Sequence, residues 1–211
     1  MLQYRAVYSE TLELLKILMQ YSDLQKFYLV GETALALQLG HRISVDLDLF
    51  TNSDFETAEI IEQLRNDMEI QIIMQKEKNS MILNARKKDT QNEFVKIDFV
   101  KYPYRLLSEV QEIDNIRFLS QNDIIPMKLS AIANRGAKKD FYDIYELLKN
   151  ISLKTMLELF TMKYPDIEQF HILKSLVYFD DAENQFDPIT LNNTNWQIVM
   201  KTIENKVNEY L

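Results

Sequence analysis

Hydrophobic spacing divides the chain into elements of two kinds. Leu12, Leu15, Leu18 and Met19 recur at helical intervals within residues 5–21. FYLV (27–30) is a short apolar run of the kind a buried strand uses, and it stops at Gly31. ETALALQL (32–39) is built of good helix formers and meets a stop at Gly40. Residues 43–50 then alternate. Ile43, Val45, Leu47 and Leu49 interleave with Ser44, Asp46 and Asp48, which predicts a strand with one polar face that also takes in Arg42. FETAEIIEQLRNDM (55–68) predicts an amphipathic helix with Ser53 or Asp54 as its N-cap. β-like segments follow at 70–74, 80–86, 93–100 and 116–119.

After residue 119 the pattern is helical, at 121–134, 138–149, 152–163, 166–178 and 195–210. Ser120 and Asp123 have the spacing of a capping arrangement, and Pro126 predicts a kink or a late start. Residues 179–195 lack periodicity and read as a loop. The chain therefore reads as an α/β core over 1–119 followed by a helical portion over 120–211.

Composition narrows the class. With 211 residues, 46% hydrophobic and 27% charged, the chain has the makeup of a globular protein with a sizeable core. No apolar run approaches the ~20 residues of a membrane span. The N-terminus lacks the features of a signal peptide, and the absence of cysteine excludes disulfides and thiolate metal sites, so a cytoplasmic protein without membrane partners is expected. The net charge of −8 disfavours non-specific binding to duplex DNA. Two basic clusters stand against it. Lys76, Lys78, Arg86, Lys87 and Lys88 read as solvated faces, whereas Arg135, Lys138 and Lys139 offer a local patch for a nucleic acid.

The carboxylates supply the candidate chemistry. Asp46 and Asp48 leave one strand face two residues apart, and such like charges are reconciled by a cation between them. Mg²⁺, with Mn²⁺ as the alternative, suits a carboxylate pair that shares it with substrate phosphates. In EFVKIDFV, Asp98 projects opposite Val95, Ile97 and Phe99. If its strand lies in the same sheet, three carboxylates converge for in-line displacement at phosphorus. Gly31 and Thr33 begin a helix whose free N–H groups suit phosphate oxygens, and Arg42 and Ser44 extend the same polar face. D-x-D alone reads first as the wet face of an antiparallel strand. His41 and His171 show no partner pattern, and no Walker loop, nucleophile elbow or paired-histidine motif occurs. Tyr142 and Tyr145 read as helix packing rather than base stacking.

VGETALALQLGHRISVDLDLF resembles the first signature of the nucleotidyltransferase superfamily and, more narrowly, of the AbiEii/AbiGii toxin family, with its G-G-T-A-L-style turn followed by R-x-S-x-D-x-D. KIDF (96–99) is similar to the family's third-carboxylate strand, and MKLSAIANRGAKKDFYDIYELL (127–148) to its later helical signature. The resemblance spans about residues 25–150. It implies a mixed β-sheet flanked by helices, followed by a helical portion. It implies Mg²⁺ on Asp46 and Asp48, completed by Asp98, and a triphosphate held by Gly31 and Thr33. It further implies site roles for Lys128, Lys139 and Asp140, with Asp143 nearby on the same helix face, although Lys139 and Asp143 also read as an exposed pair. Glu32 departs from the family, standing where it has its second glycine. The implied activity moves a nucleoside monophosphate from an NTP to an acceptor hydroxyl, with RNA such as a tRNA end favoured and an antitoxin protein as partner. A small-molecule acceptor, and a catalytically silent binding module on the same fold, are the alternatives.

Overall fold

The computed structural model describes residues 1–211, which divide by internal contacts into two units. The first comprises Met1–Gly40, Ser44–Arg105 and Val110–Leu119; the second comprises His41–Ile43, Leu106–Glu109 and Ser120–Leu211.

The first unit is a seven-stranded mixed sheet with three helices. Its elements in chain order are α1 (Ser9–Leu18), β1 (Tyr28–Leu29), α2 (Gly31–Leu39), β2 (Leu47–Thr51), α3 (Thr57–Asp67), β3 (Met68–Gln75), β4 (Ser80–Lys87), β5 (Val95–Lys101), β6 (Gln111–Ile113) and β7 (Ile116–Phe118). The sheet order is β3-β4-β5-β2-β1-β7-β6. β2 runs parallel to β5 and β1 parallel to β7; the other neighbours are antiparallel. Alternation decides the faces. Leu47, Leu49, Met81, Leu83, Ala85, Ile97 and Phe99 are buried, while Asp48, Ile82, Asn84, Lys96 and Asp98 occupy the half-buried side. Phe27 sets its ring edge-on to Phe55 and Phe99, with centroids 5.0 and 5.4 Å away. Helix α2 is apolar nearly all round, which fits its burial from Glu32 to Leu37. Gly40 ends it with φ +64°, a left-handed conformation that favours glycine.

The second unit is helical: α4 (Gln121–Arg135), α5 (Lys138–Leu148), α6 (Leu153–Lys163), α7 (Gln169–Leu176), α8 (Asp180–Glu183) and α9 (Trp196–Tyr210). Phe141 and Phe179 meet the Trp196 ring at 5.7 and 5.6 Å, and Tyr142 stacks on it at 6.0 Å. Tyr142 is thus a core residue. Ser152 and Asn195 cap α6 and α9 by accepting from the N–H groups of Thr155 and Ile198.

Several expected elements differ. The strand expected over 43–50 begins only at Leu47. Upstream of it the alternating residues have separate anchors: Ser44 N–H donates to the Ala6 carbonyl in the sheet unit, and Ile43 N–H donates to the Ile189 carbonyl in the helical unit. Alternation there reflects side-to-side anchoring rather than one ladder. The N-cap of α3 is Glu56, not Ser53 or Asp54; Asp54 instead accepts from Asn79 and Lys101. Ser120 occupies the N-cap position of α4, but its hydroxyl makes no capping bond. Asp123 is turned to the N–H groups of Leu107 and Ser108 and to Lys163 Nζ at 2.7 Å. α4 continues through Pro126. β6 was not expected, and α8 interrupts the expected loop at 179–195.

Candidate active site

The sheet unit gathers three acidic side chains. Parallel pairing of β2 with β5 places Asp48 directly opposite Asp98, so both carboxylates leave the same face of adjacent strands. Asp46 lies two residues before Asp48, just ahead of the strand. Lys96, two residues before Asp98 on β5, is on that face as well, and its Nζ lies 2.6 Å from Asp98 Oδ1. Partial burial works to lower the Lys96 ammonium. Its bond to Asp98 and the charges of Asp98, Asp46 and Asp48 outweigh that and hold it above the usual lysine range. Three carboxylates thus act on one ammonium. Lys96 was missed as a site residue, although its parity with Asp98 in EFVKIDFV was legible.

Gly31 closes one side of this group. It opens α2 with φ +65°, and a Cβ built there would overlap the Asp48 carboxylate oxygen Oδ2. Only a residue without a side chain permits both the left-handed turn and the close approach. Gly31→Ala is therefore expected to lower stability by about 1–3 kcal/mol and to displace the Asp48 carboxylate. Urea unfolding checks the first effect. A variant as stable as wild type would contradict it.

Thr33 and Ser44, both expected at the nucleotide, bond to each other at 2.7 Å, and Thr33 also donates to the Asp46 carbonyl. Both are buried. They fix the backbone that presents Asp46. Glu32 is buried in the first turn of α2.

The remaining expected residues lie in the helical unit, where Arg42, Lys128 and Asp140 join one buried ionic network. Asp143 accepts from Arg42 Nε and Nη2 at 2.7 and 2.8 Å and from His41 Nε2 at 2.7 Å, and it pairs with Lys128 Nζ at 2.6 Å. Lys128 Nζ also donates to Asp140 at 2.9 Å, and Asp140 receives Arg135 through two bonds of 2.8 and 3.0 Å. Arg42 therefore does not extend the Asp46–Asp48 face, and Asp143 is fully buried rather than half of an exposed pair with Lys139. His41 has a partner 102 residues away that no local pattern reveals. Lys139 is half-buried on α5. Lys138, expected in a basic surface patch, is buried; its ammonium donates to the Glu183 carbonyl and lies over the Trp196 ring. In the other cluster, Lys78, Arg86 and Lys87 each pair with a glutamate.

Burial alone would raise the Asp143 carboxyl, but the Arg42 and Lys128 charges and the bonds from His41 and Arg42 outweigh it and hold it well below the usual carboxylate range. A depressed folded-state value stabilises fully above the unfolded value near 3.8 and is lost as pH falls toward the folded one. The single tryptophan, Trp196, packs on Phe141 and Tyr142 of the same helix as Asp143 and reports on this region. Its emission is expected to stay unchanged down to about pH 4 and to shift red below it. A shift already complete at pH 5 would contradict this account.

What the sheet-unit group does chemically follows from its charge. No set of three acidic or imidazole side chains is already spaced to enclose a metal ion. Mg²⁺ characteristically takes one or two carboxylates and fills its remaining positions with water and substrate phosphates. Asp48 and Asp98, opposite each other on β2 and β5, with Asp46 two residues ahead of Asp48, fit that mode and not an all-protein cage. No helix is long and apolar enough to cross a membrane.

Several known proteins are similar to this chain. A protein of Aquifex aeolicus, uncharacterized protein aq_aa25, is 33% identical over 98% of both chains. Among solved structures, a protein of H. pylori described as a candidate nucleotidyltransferase superposes with a TM-score of 0.56 at 19% identity, covering 97% of this chain and 99% of its own. MenT4, a nucleotidyltransferase toxin of Mycobacterium tuberculosis, gives 0.55 at 14% identity, covering 95% and 84%. These likenesses are of fold. The model of the nucleotidyl transferase AbiEii toxin family, of type IV toxin–antitoxin systems, matches residues 13–209, and the chain belongs to that family of nucleotidyltransferases.

Proposed function

We propose that this nucleotidyltransferase is Mg²⁺-dependent and moves a nucleoside monophosphate from an NTP to a hydroxyl of RNA, with a tRNA end as the favoured acceptor, and that it is the toxin of a toxin–antitoxin pair with an antitoxin protein as its counterpart. The observation that carries the reading is the register of Asp48 opposite Asp98, with Asp46 alongside and Gly31 against Asp48. Asp46 and Asp48 would hold the metal and Asp98 would complete the site. Bound there, Mg²⁺ (or Mn²⁺) supplies positive charge to the phosphate oxygens on which negative charge builds. Asp98 takes the proton from the attacking hydroxyl. A bond forms from that oxygen to the α-phosphorus, the bond to the β-phosphate oxygen breaks, and pyrophosphate leaves. N–H groups at the start of α2, freed by the turn at Gly31, face the phosphate tail. Thr33 and Ser44 act by holding the backbone ahead of Asp46. Lys139 is assigned to phosphate binding. Arg42, Lys128 and Asp140, each buried in ion pairs within the helical unit, are assigned to holding that unit together.

The test is incubation with each α-labelled NTP, Mg²⁺ and a total RNA pool. Label is expected in RNA and not in the absence of a divalent cation. A protein that binds neither NTP nor Mg²⁺ at millimolar concentration would instead be a silent binding module, and label confined to small molecules would identify a different acceptor class.

A further inference from the structure

The carboxylates assigned to the metal already have a cation of the protein's own beside Asp98. Lys96 Nζ sits 2.6 Å from Asp98 Oδ1, and its side chain is 39% exposed, so it is free to leave without unpacking the core. Asp46 and Asp48 act on the same ammonium through their charge. Lys96 and Asp98 share one face of β5, with Asn84 opposite Lys96 and Ile82 opposite Asp98 on β4. Acidic side chains brought together repel, and a divalent cation and an ammonium have the same reason to sit beside them.

We propose that Lys96 is a resident counter-ion of the carboxylate group, holding Asp98 in the absence of metal and competing with Mg²⁺ for it. This inference rests on the Mg²⁺ reading above. It makes Lys96 a positioning residue: it keeps the carboxylates gathered between turnovers, and it sets the metal affinity below what three unopposed carboxylates would give. Metal entry exchanges one cation for another on Asp98, so the gathered geometry persists throughout.

The test is Mg²⁺ binding to Lys96→Met, Lys96→Arg and wild type, followed by calorimetry, together with thermal melting in EDTA. Lys96→Met is expected to melt about 2–4 °C lower without metal and to bind Mg²⁺ about five- to tenfold more tightly, since a positive charge beside the ion is gone. Lys96→Arg keeps the charge and should stay within about twofold of wild type. Where Lys96→Met does not fold, the ammonium resonances of wild-type lysines during a Mg²⁺ titration give the same answer: the Lys96 signal is expected to move as Asp98 is taken. Wild type that binds Mg²⁺ while Lys96→Met binds it with unchanged affinity, or while the Lys96 signal stays fixed, overturns the counter-ion and leaves the Mg²⁺ reading standing. Wild type that binds no Mg²⁺, with or without NTP, overturns both.

Discussion

Asp48→Asn is expected to reduce nucleotidyl transfer about 10³-fold or more while the protein melts near the wild-type temperature. The two outcomes have separate origins. The amide keeps the shape of the side chain but removes one of the charges assigned to the metal, and losing about 4 kcal/mol of charge stabilisation in the transition state corresponds to three decades in rate. In the absence of metal the Asp48 charge both repels those of Asp46 and Asp98 and is attracted by Lys96, so neutralising it changes stability little. Asp46→Asn should behave alike. Transfer to labelled RNA and thermal melting, measured on the same preparation, check both halves. A variant with wild-type transfer would remove Asp48 from the site. One that fails to fold would show that its carboxylate supports structure instead.

The second large effect falls in the helical unit. Asp143→Ala is expected to cost about 3–5 kcal/mol, because it removes the carboxylate shared by His41, Arg42 and Lys128 where all four side chains are buried. Against a total stability of about 5–15 kcal/mol for a typical domain, such a loss leaves little or no folded population at the lower end. Asp143→Asn retains hydrogen-bonding capacity and should lose less. Lys149→Ala, on an exposed ion pair with Glu146 just beyond the same helix, should change stability by less than about 0.5 kcal/mol. Urea unfolding followed by Trp196 fluorescence separates the three. Equal destabilisation by Asp143→Ala and Lys149→Ala would show that the buried network is not what holds this unit together.

Periodicity carried the sheet-unit site further than it carried the helical unit. Asp48 and Asp98 were readable as candidates because a half-buried strand announces its polar face through alternation, and the family resemblance supplied the expectation that the two strands meet. Parity also pointed to Lys96, but a lysine on a wet strand face has no signature of its own until its neighbours are known. Arg42 illustrates the opposite failure. It alternates in step with Ser44, Asp46 and Asp48, yet its partner is 101 residues away. Period-two spacing does not distinguish a strand from a segment whose residues are tied to different elements. Ser120 and Asp123 had capping spacing, but backbone donors at Leu107 and Ser108 and the ammonium of Lys163 claim the aspartate. β6 has three residues and α8 four, both below the length at which a hydrophobic period can be read.

The order of strands has a consequence for synthesis. Leu29 in β1 aligns with Phe118 in β7, and Asp48 with Asp98, so the inner strands of the sheet wait for chain made much later. Closing such wide loops comes before any reward from pairing, and parallel strands joined this way fold slowly. A ribosome that has released Asp48 has therefore made no catalyst. The second half of the carboxylate set arrives fifty residues later and the partner of β1 in β7 later still, so a chain that stops short of β5 lacks Asp98 and the strand that would set it opposite Asp48.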